Sequence, residues 1–115
     1  MIDGMLIKGG KASHERLAGS LSSLTKLIGC EYVEMPCRLI KGKKALIVCD
    51  EEGLLKSELE TSAVCDDANE RMVGALLVVG VSDKKGNLTS LSKAEMAAVQ
   101  DAVDENGLLH YSIRN

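Results

Sequence analysis

Two runs of aliphatic residues, Ala45-Leu46-Ile47-Val48-Cys49 and Ala75-Leu76-Leu77-Val78-Val79, leave this chain few architectures. Neither run has a polar side chain to offer water, and both are too short for a typical globular helix. Residues 44–50, KALIVCD, read as a strand buried on both faces. Residues 74–82, GALLVVGVS, are the most hydrophobic stretch and read as the central strand. With 115 residues there is enough chain for one hydrophobic core and too little for two. The expected architecture is a single α+β domain over residues 1–115. It would have a mostly antiparallel or mixed sheet of four to five strands and two main helices.

The rest of the chain punctuates around those strands. GMLIKGG predicts a short strand closed by Gly9 and Gly10. Ser13 is then placed to cap a helix with apolar residues Leu17, Leu21, Leu24 and Ile28, and Gly29 to end it. CEYVEMPC alternates as a half-buried strand up to Pro36, and RLIKGKK reads as a hairpin connection. Between Gly53 and Cys65 a weak helical spacing at Leu55, Leu59 and Ala63 is broken by loop residues. Asp66 and Asp67 are placed to cap a short helical turn through ANERMV, and DKKGN is a polar turn. The last helix carries the strongest signals: Ser92 and Glu95 at capping-box spacing, Leu91 and Met96 as a staple, and Asn106 and Gly107 as its end. LLHYSIR predicts a terminal edge strand, whose unpaired backbone groups would suit a homo-oligomer.

Composition removes several functions. Phe and Trp are absent and only Tyr32 and Tyr111 supply rings, so there is no platform for stacking bases. The formal net charge of −3 argues against binding nucleic acid non-specifically through phosphates. No apolar run reaches the roughly 18–20 residues of a membrane span, and the first ten residues do not form a signal peptide. A cytoplasmic protein is expected, with Cys30, Cys37, Cys49 and Cys65 as reduced thiols. Asn87-Leu88-Thr89 matches a glycosylation sequon, which has no meaning without secretion.

Five groups of residues are candidate sites. Asp50, Glu51 and Glu52 could divide acid and base roles or hold a hard cation if their carboxylates converged. Consecutive side chains in a turn point apart, and Gly53 follows directly, so a solvated turn is expected. KGGKAS runs from a strand towards an expected helix start, where Lys8, Lys11 and backbone amides would suit an anion. It fails the P-loop pattern, because Ala12 follows Gly10-Lys11 and Met5 stands at the earlier glycine position. The cysteines lie seven, twelve and sixteen residues apart, which no paired zinc knuckle uses, so no metal or other cofactor is expected. His14, in a first helical turn, and His110, in the terminal strand, are expected at the surface. Arg38, Lys41, Lys43 and Lys44 form one local basic excess, expected as a solvated hairpin or a contact for an acidic surface or a phosphate.

Three stretches together resemble one family. SLTKLIGCEYVEM, ALIVCDEEGLL and MVGALLVVGV followed by SLSKAEM are similar to the domain of unknown function 3846 family, small proteins of phages, plasmids and integrated elements. The similarity runs over residues 17–99. Members carry a Leu-Pro-x-Asn-Arg segment after the acidic turn, whereas SELETSAV stands here. The resemblance implies no reaction. It implies an accessory protein of a mobile element. Because no convergent acid, base, nucleophile or metal set passes the spacing tests, the expected role is non-catalytic docking onto a host or element protein, with interference in host defence as a natural use by analogy. The alternatives are a binder of a small anionic, nucleotide-derived ligand through Lys8 and Lys11, or a small hydrolase or transferase using residues 50–52.

Overall fold

A computed structural model of the chain describes residues 1–56, 58–81 and 88–114. Strands β1 (Ile2–Lys8) and β2 (Lys11–Leu17) form an antiparallel hairpin with Lys8 opposite Lys11. Gly9 and Gly10 turn it with φ of 60° and 76°, the left-handed geometry that two-residue hairpins demand and glycine supplies freely. This corrects the expected helix start: Ser13 and His14 lie in β2, and Leu17 is its last residue. The helix α1 begins later, at Leu21–Ile28, capped by Ser20, whose hydroxyl accepts from Ser23 N–H at 3.2 Å. Its end is where the sequence places it, at Gly29 in the left-handed region.

Strands β3 (Val33–Glu34), β4 (Cys37–Ile40) and β5 (Lys43–Asp50) follow, with Lys41 and Gly42 turning the β4–β5 hairpin. After β5 a single 3-10 turn, Gly53–Leu55, leads to β6 (Thr61–Cys65) and β7 (Arg71–Val73). The weak helical spacing at Leu55, Leu59 and Ala63 therefore belongs to a turn, a loop and a strand. Asp66 and Asp67 start no helix either. The Asp67 carboxylate instead accepts from the N–H groups of Ile113 and Arg114, both at 2.9 Å, and from the Cys65 thiol. These donors hold its pKa down, to about 2. Strand β8 (Leu76–Gly80), α2 (Lys93–Asn106) and β9 (Leu109–Tyr111) complete the chain. The expected DKKGN turn lies outside the described residues. Ser92 and Glu95 make the capping box reciprocally, and Gly107 ends α2 in the left-handed region.

The α+β class holds, with more strands than the four to five expected, divided between two sheets. The larger sheet runs β2-β1-β8-β5, with β3 and β4 sharing the outer edge of β5, and every pairing is antiparallel. The smaller runs β7-β6-β9, with β6 and β9 parallel. Leu39 and Ser112 exchange two backbone hydrogen bonds of 2.8 Å, which join β4 to the end of β9. The stretch LLHYSIR thus supplies an edge strand, as its sequence suggests, paired on one side to β6 and tied at Ser112 to β4.

Alternation along β5 assigns the two faces of the larger sheet. Ala45, Ile47 and Cys49 point into the main core with Val99, Val103, Leu109 and Tyr111 from α2 and β9. Val48 points the other way, where Leu77, Val79 and Leu17 meet Leu24 and Ile28 of α1. The strand read as two-sided, β5, is two-sided, and β8, read as central, lies between β1 and β5. The strand directions put Lys8 and Asp50 at one end of this sheet. Lys41, Lys43 and Lys44 lie at the other.

Candidate functional site

The acidic stretch after β5 is a turn whose three carboxylates go separate ways. Asp50 points inward, its side chain 8% exposed, and accepts from Glu52 N–H at 2.9 Å and from the Lys56 ammonium at 2.5 Å. The first bond is the local one through which an aspartate closes a turn on its own backbone. Glu51 and Glu52 are both exposed. Glu52 borders an open cleft of about 640 Å³, shared with Thr25, Lys26 and Cys30 beside the end of α1. Glu51 borders a much smaller hollow with Glu34, Leu54 and Arg71. Gly53 is required for space and not for backbone freedom: a Cβ there would lie 2.9 Å from Val73 Cγ2 of β7.

The open cleft is ion-paired and polar. The Lys56 ammonium is held charged by its hydrogen bond to Asp50, which raises its pKa. The Cys30 thiol donates to the Tyr32 carbonyl at 3.3 Å, and burial together with the Asp50 charge pushes its pKa up. A thiol so placed is a weak nucleophile, because attack needs the thiolate. Cys30, Lys56 and the inward turn of Asp50 were not visible as a group in the sequence, because they meet only once the chain has turned after β5.

Pairing of β3 with β5 adds a rim that the sequence reading missed. Val33 lies opposite Asp50, Glu34 opposite Cys49, and Glu51 N–H donates to the Tyr32 carbonyl at 3.0 Å. Tyr32 is 58% exposed, Leu54 61% and Leu55 83%, with Glu31, Glu34, Glu51 and Glu52 exposed among them. The Tyr32 backbone is thus tied to Glu51, and Leu54 borders the same hollow as Glu34 and Glu51.

The basic candidates do not form one site. Arg38 is withdrawn from its lysine neighbours: its Nε and Nη2 donate to the two Glu70 carboxylate oxygens at 2.9 and 3.2 Å. Tyr111, 1% exposed, donates its hydroxyl to the same carboxylate at 2.8 Å. Lys41, Lys43 and Lys44 stay exposed at the β4–β5 hairpin tip. Lys8 and Lys11 flank the β1–β2 turn, so the helix-start amides expected beside them are not there. His14 pairs with Asp3 at 2.8 Å and His110 with Asp66 at 2.8 Å, both away from the acidic turn's cleft.

All four cysteines are free thiols. Cys49 is buried, and desolvation with Glu34 beside it pushes its pKa up to about 12, whereas Cys37 is exposed. A thiol reagent at pH 8 is therefore expected to label Cys37 first and Cys49 only as the protein unfolds, read by mass spectrometry of the intact and digested chain. Comparable early rates at the two positions would contradict this packing. The burial of Cys49 also opposes folding at high pH: the thiol ionises in the unfolded chain from about 8.5. The stability it carries is present below that value and falls as pH rises towards 12.

Among the described residues, no helix is long and apolar enough to cross a membrane. No curated protein and no solved structure matches the chain. The family described as domain of unknown function (DUF3846) matches residues 2–104, nine-tenths of the chain and more than the stretches that first suggested it, and the protein belongs to that family.

Proposed function

We propose that the protein is a non-catalytic accessory protein of a phage or other mobile element, acting in the cytoplasm by binding another protein. The observation that carries the reading is the exposure of Tyr32, Leu54 and Leu55 on the segments that β3 and the Gly53 turn bring to the end of β5, where Glu31, Glu34, Glu51 and Glu52 are exposed too. Apolar anchors within a charged rim are the general anatomy of a protein interface. The partner's matching surface has apolar residues ringed by Lys and Arg, since the rim offers mainly carboxylates. Host-defence proteins are one class of partner such a module would serve. The divergence of the three carboxylates, with Asp50 engaged by Lys56 and its own turn, supports binding over a hydrolase at residues 50–52.

The test is affinity capture from lysate of a bacterial host, comparing wild type with Leu54→Asp/Leu55→Asp. These side chains are exposed, so the variant is expected to keep the wild-type Tm within about 2 °C. A protein retained in stoichiometric amount by wild type, lost with the double variant and released by raised salt supports the reading. Stoichiometric retention that is indifferent to both the substitutions and salt sinks this surface as the docking site. Turnover of a metabolite that survives replacement of all three acids at 50–52 sinks the non-catalytic reading as well.

A further inference from the structure

At the opposite end of the sheet from the acidic edge, α2 and the β4–β5 hairpin leave an unfilled cleft of about 210 Å³. Its floor is apolar and buried: Ile40, Ala45 and Val78 from the sheet, Leu91 from the residue before the cap of α2 and Val99 from the middle of the helix. The reason for the gap is visible in the residues. Ala45 and Ala98 contribute only methyl groups on the two sides, where a Leu would close the space. Protein interiors pack to crystal-like density, and an open apolar hollow forfeits those contacts.

The mouth is cationic. Lys41, Lys43 and Lys44 stand around it, and the single carboxylate among its lining residues belongs to Glu95. That carboxylate is already committed, accepting from Ser92 N–H at 2.8 Å in the capping box. The Ser92 hydrogen bond lowers its pKa, and Lys43 adds to the effect. The positive end of the fourteen-residue α2 lies beside the same mouth, so helix dipole and lysines act with one sign. The cleft thus combines an aliphatic floor with three lysines among its lining residues.

We propose that this cleft binds a small amphipathic anion, a short aliphatic chain ending in a carboxylate. The chain lies on Ile40, Val78 and Val99, and the carboxylate is met by the lysines of the hairpin tip. The volume equals that of about seven water molecules, which suits a molecule of six to eight heavy atoms. The inference stands apart from the protein-docking reading, because it uses the other end of the sheet.

Hexanoate is a suitable probe, titrated into isotopically labelled protein and followed by amide chemical shifts. The expected result is a saturable response at Ile40, Ala45, Ala98 and Val99. Hexylamine, with the same chain and the opposite charge, is expected to bind at least about tenfold more weakly. Lys43→Glu/Lys44→Glu is expected to weaken hexanoate by about tenfold or more, and Ala98→Leu to abolish the response by filling the space. Should Ala98→Leu fail to fold, the lysine variant and the amine comparison still decide. The inference is overturned by no saturable response, by equal binding of the amine, or by shifts that ignore the lysine variant. It is also overturned if a captured protein partner, and not hexanoate, perturbs this cleft.

Discussion

Replacing Glu70 with alanine is expected to lower the unfolding free energy by about 2–3 kcal/mol, one of the larger losses available to a single polar substitution here. The Glu70 carboxylate is the common acceptor for Arg38 of β4 and Tyr111 of β9, and these two strands belong to different sheets. Without it the guanidinium, whose side chain is 20% exposed, and the buried Tyr111 hydroxyl both lose their partner. The cost falls below that of a fully dry pair because water still reaches part of Glu70. Tyr111→Phe, which removes one donor and keeps the ring, is expected to cost about 1 kcal/mol. Urea titrations of both single variants and the double would give a coupling above roughly 0.5 kcal/mol. A loss below that value for Glu70→Ala would mean the two sheets are held by their apolar contacts and the Leu39–Ser112 backbone pair, with no measurable share from this network.

The same network sets the response to pH at both extremes. Hydrogen bonds from Arg38 and Tyr111 hold the Glu70 pKa below its ordinary value. Its contribution is present above about pH 4.3, where the unfolded carboxylate is ionised, and is lost as pH falls through the folded value. Tyr111 is shifted upward by burial and by the neighbouring Glu70 charge. Its neutral form is kept in the fold, so stability falls as pH rises past about 10, where the unfolded phenol ionises. Glu70→Ala should therefore flatten the acid limb of the stability profile and Tyr111→Phe the alkaline limb.

None of this network could be read from the sequence, because Arg38 and Glu70 are 32 residues apart and meet only after the sheets join. The parts that were legible depend on neighbours close in the chain. The capping box of Ser92 and Glu95, the left-handed glycines that end both helices, the two-sided strand β5 and the central strand β8 are of that kind. The start of α1 shows how the method fails. Leu17, Leu21 and Leu24 do have helical spacing, yet Gly9 and Gly10 fold the chain back before it and draw residues 11–17 into β2. Pairing with β1 overrides a periodicity that the helix uses only from Leu21 onward. The candidate site divides the same way. Acids at a glycine turn announce themselves, whereas the placing of Tyr32 beside them depends on β3 finding β5.

That late start leaves α1 only eight residues long, and this makes Leu24→Ala the most damaging core substitution we expect, at about 3 kcal/mol. So short a helix is not stable by itself in water and holds its form through what it buries. Its anchors are Leu24, 1% exposed, and Ile28, which cover Val48, Leu77 and Val79 on the side of the sheet away from α2. Removing one of two anchors opens a cavity and weakens the cover of that face together. Loss of α1 would also dissolve one wall of the cleft beside Asp50 and Lys56, which Thr25 and Lys26 supply. Hydrogen exchange is the direct readout: the amides of Leu24 to Ile28 should lose protection first, while those of β8 keep theirs. A loss below about 1 kcal/mol, with α1 still protected, would show that the helix is held by its caps at Ser20 and Gly29 and not by the core beneath it.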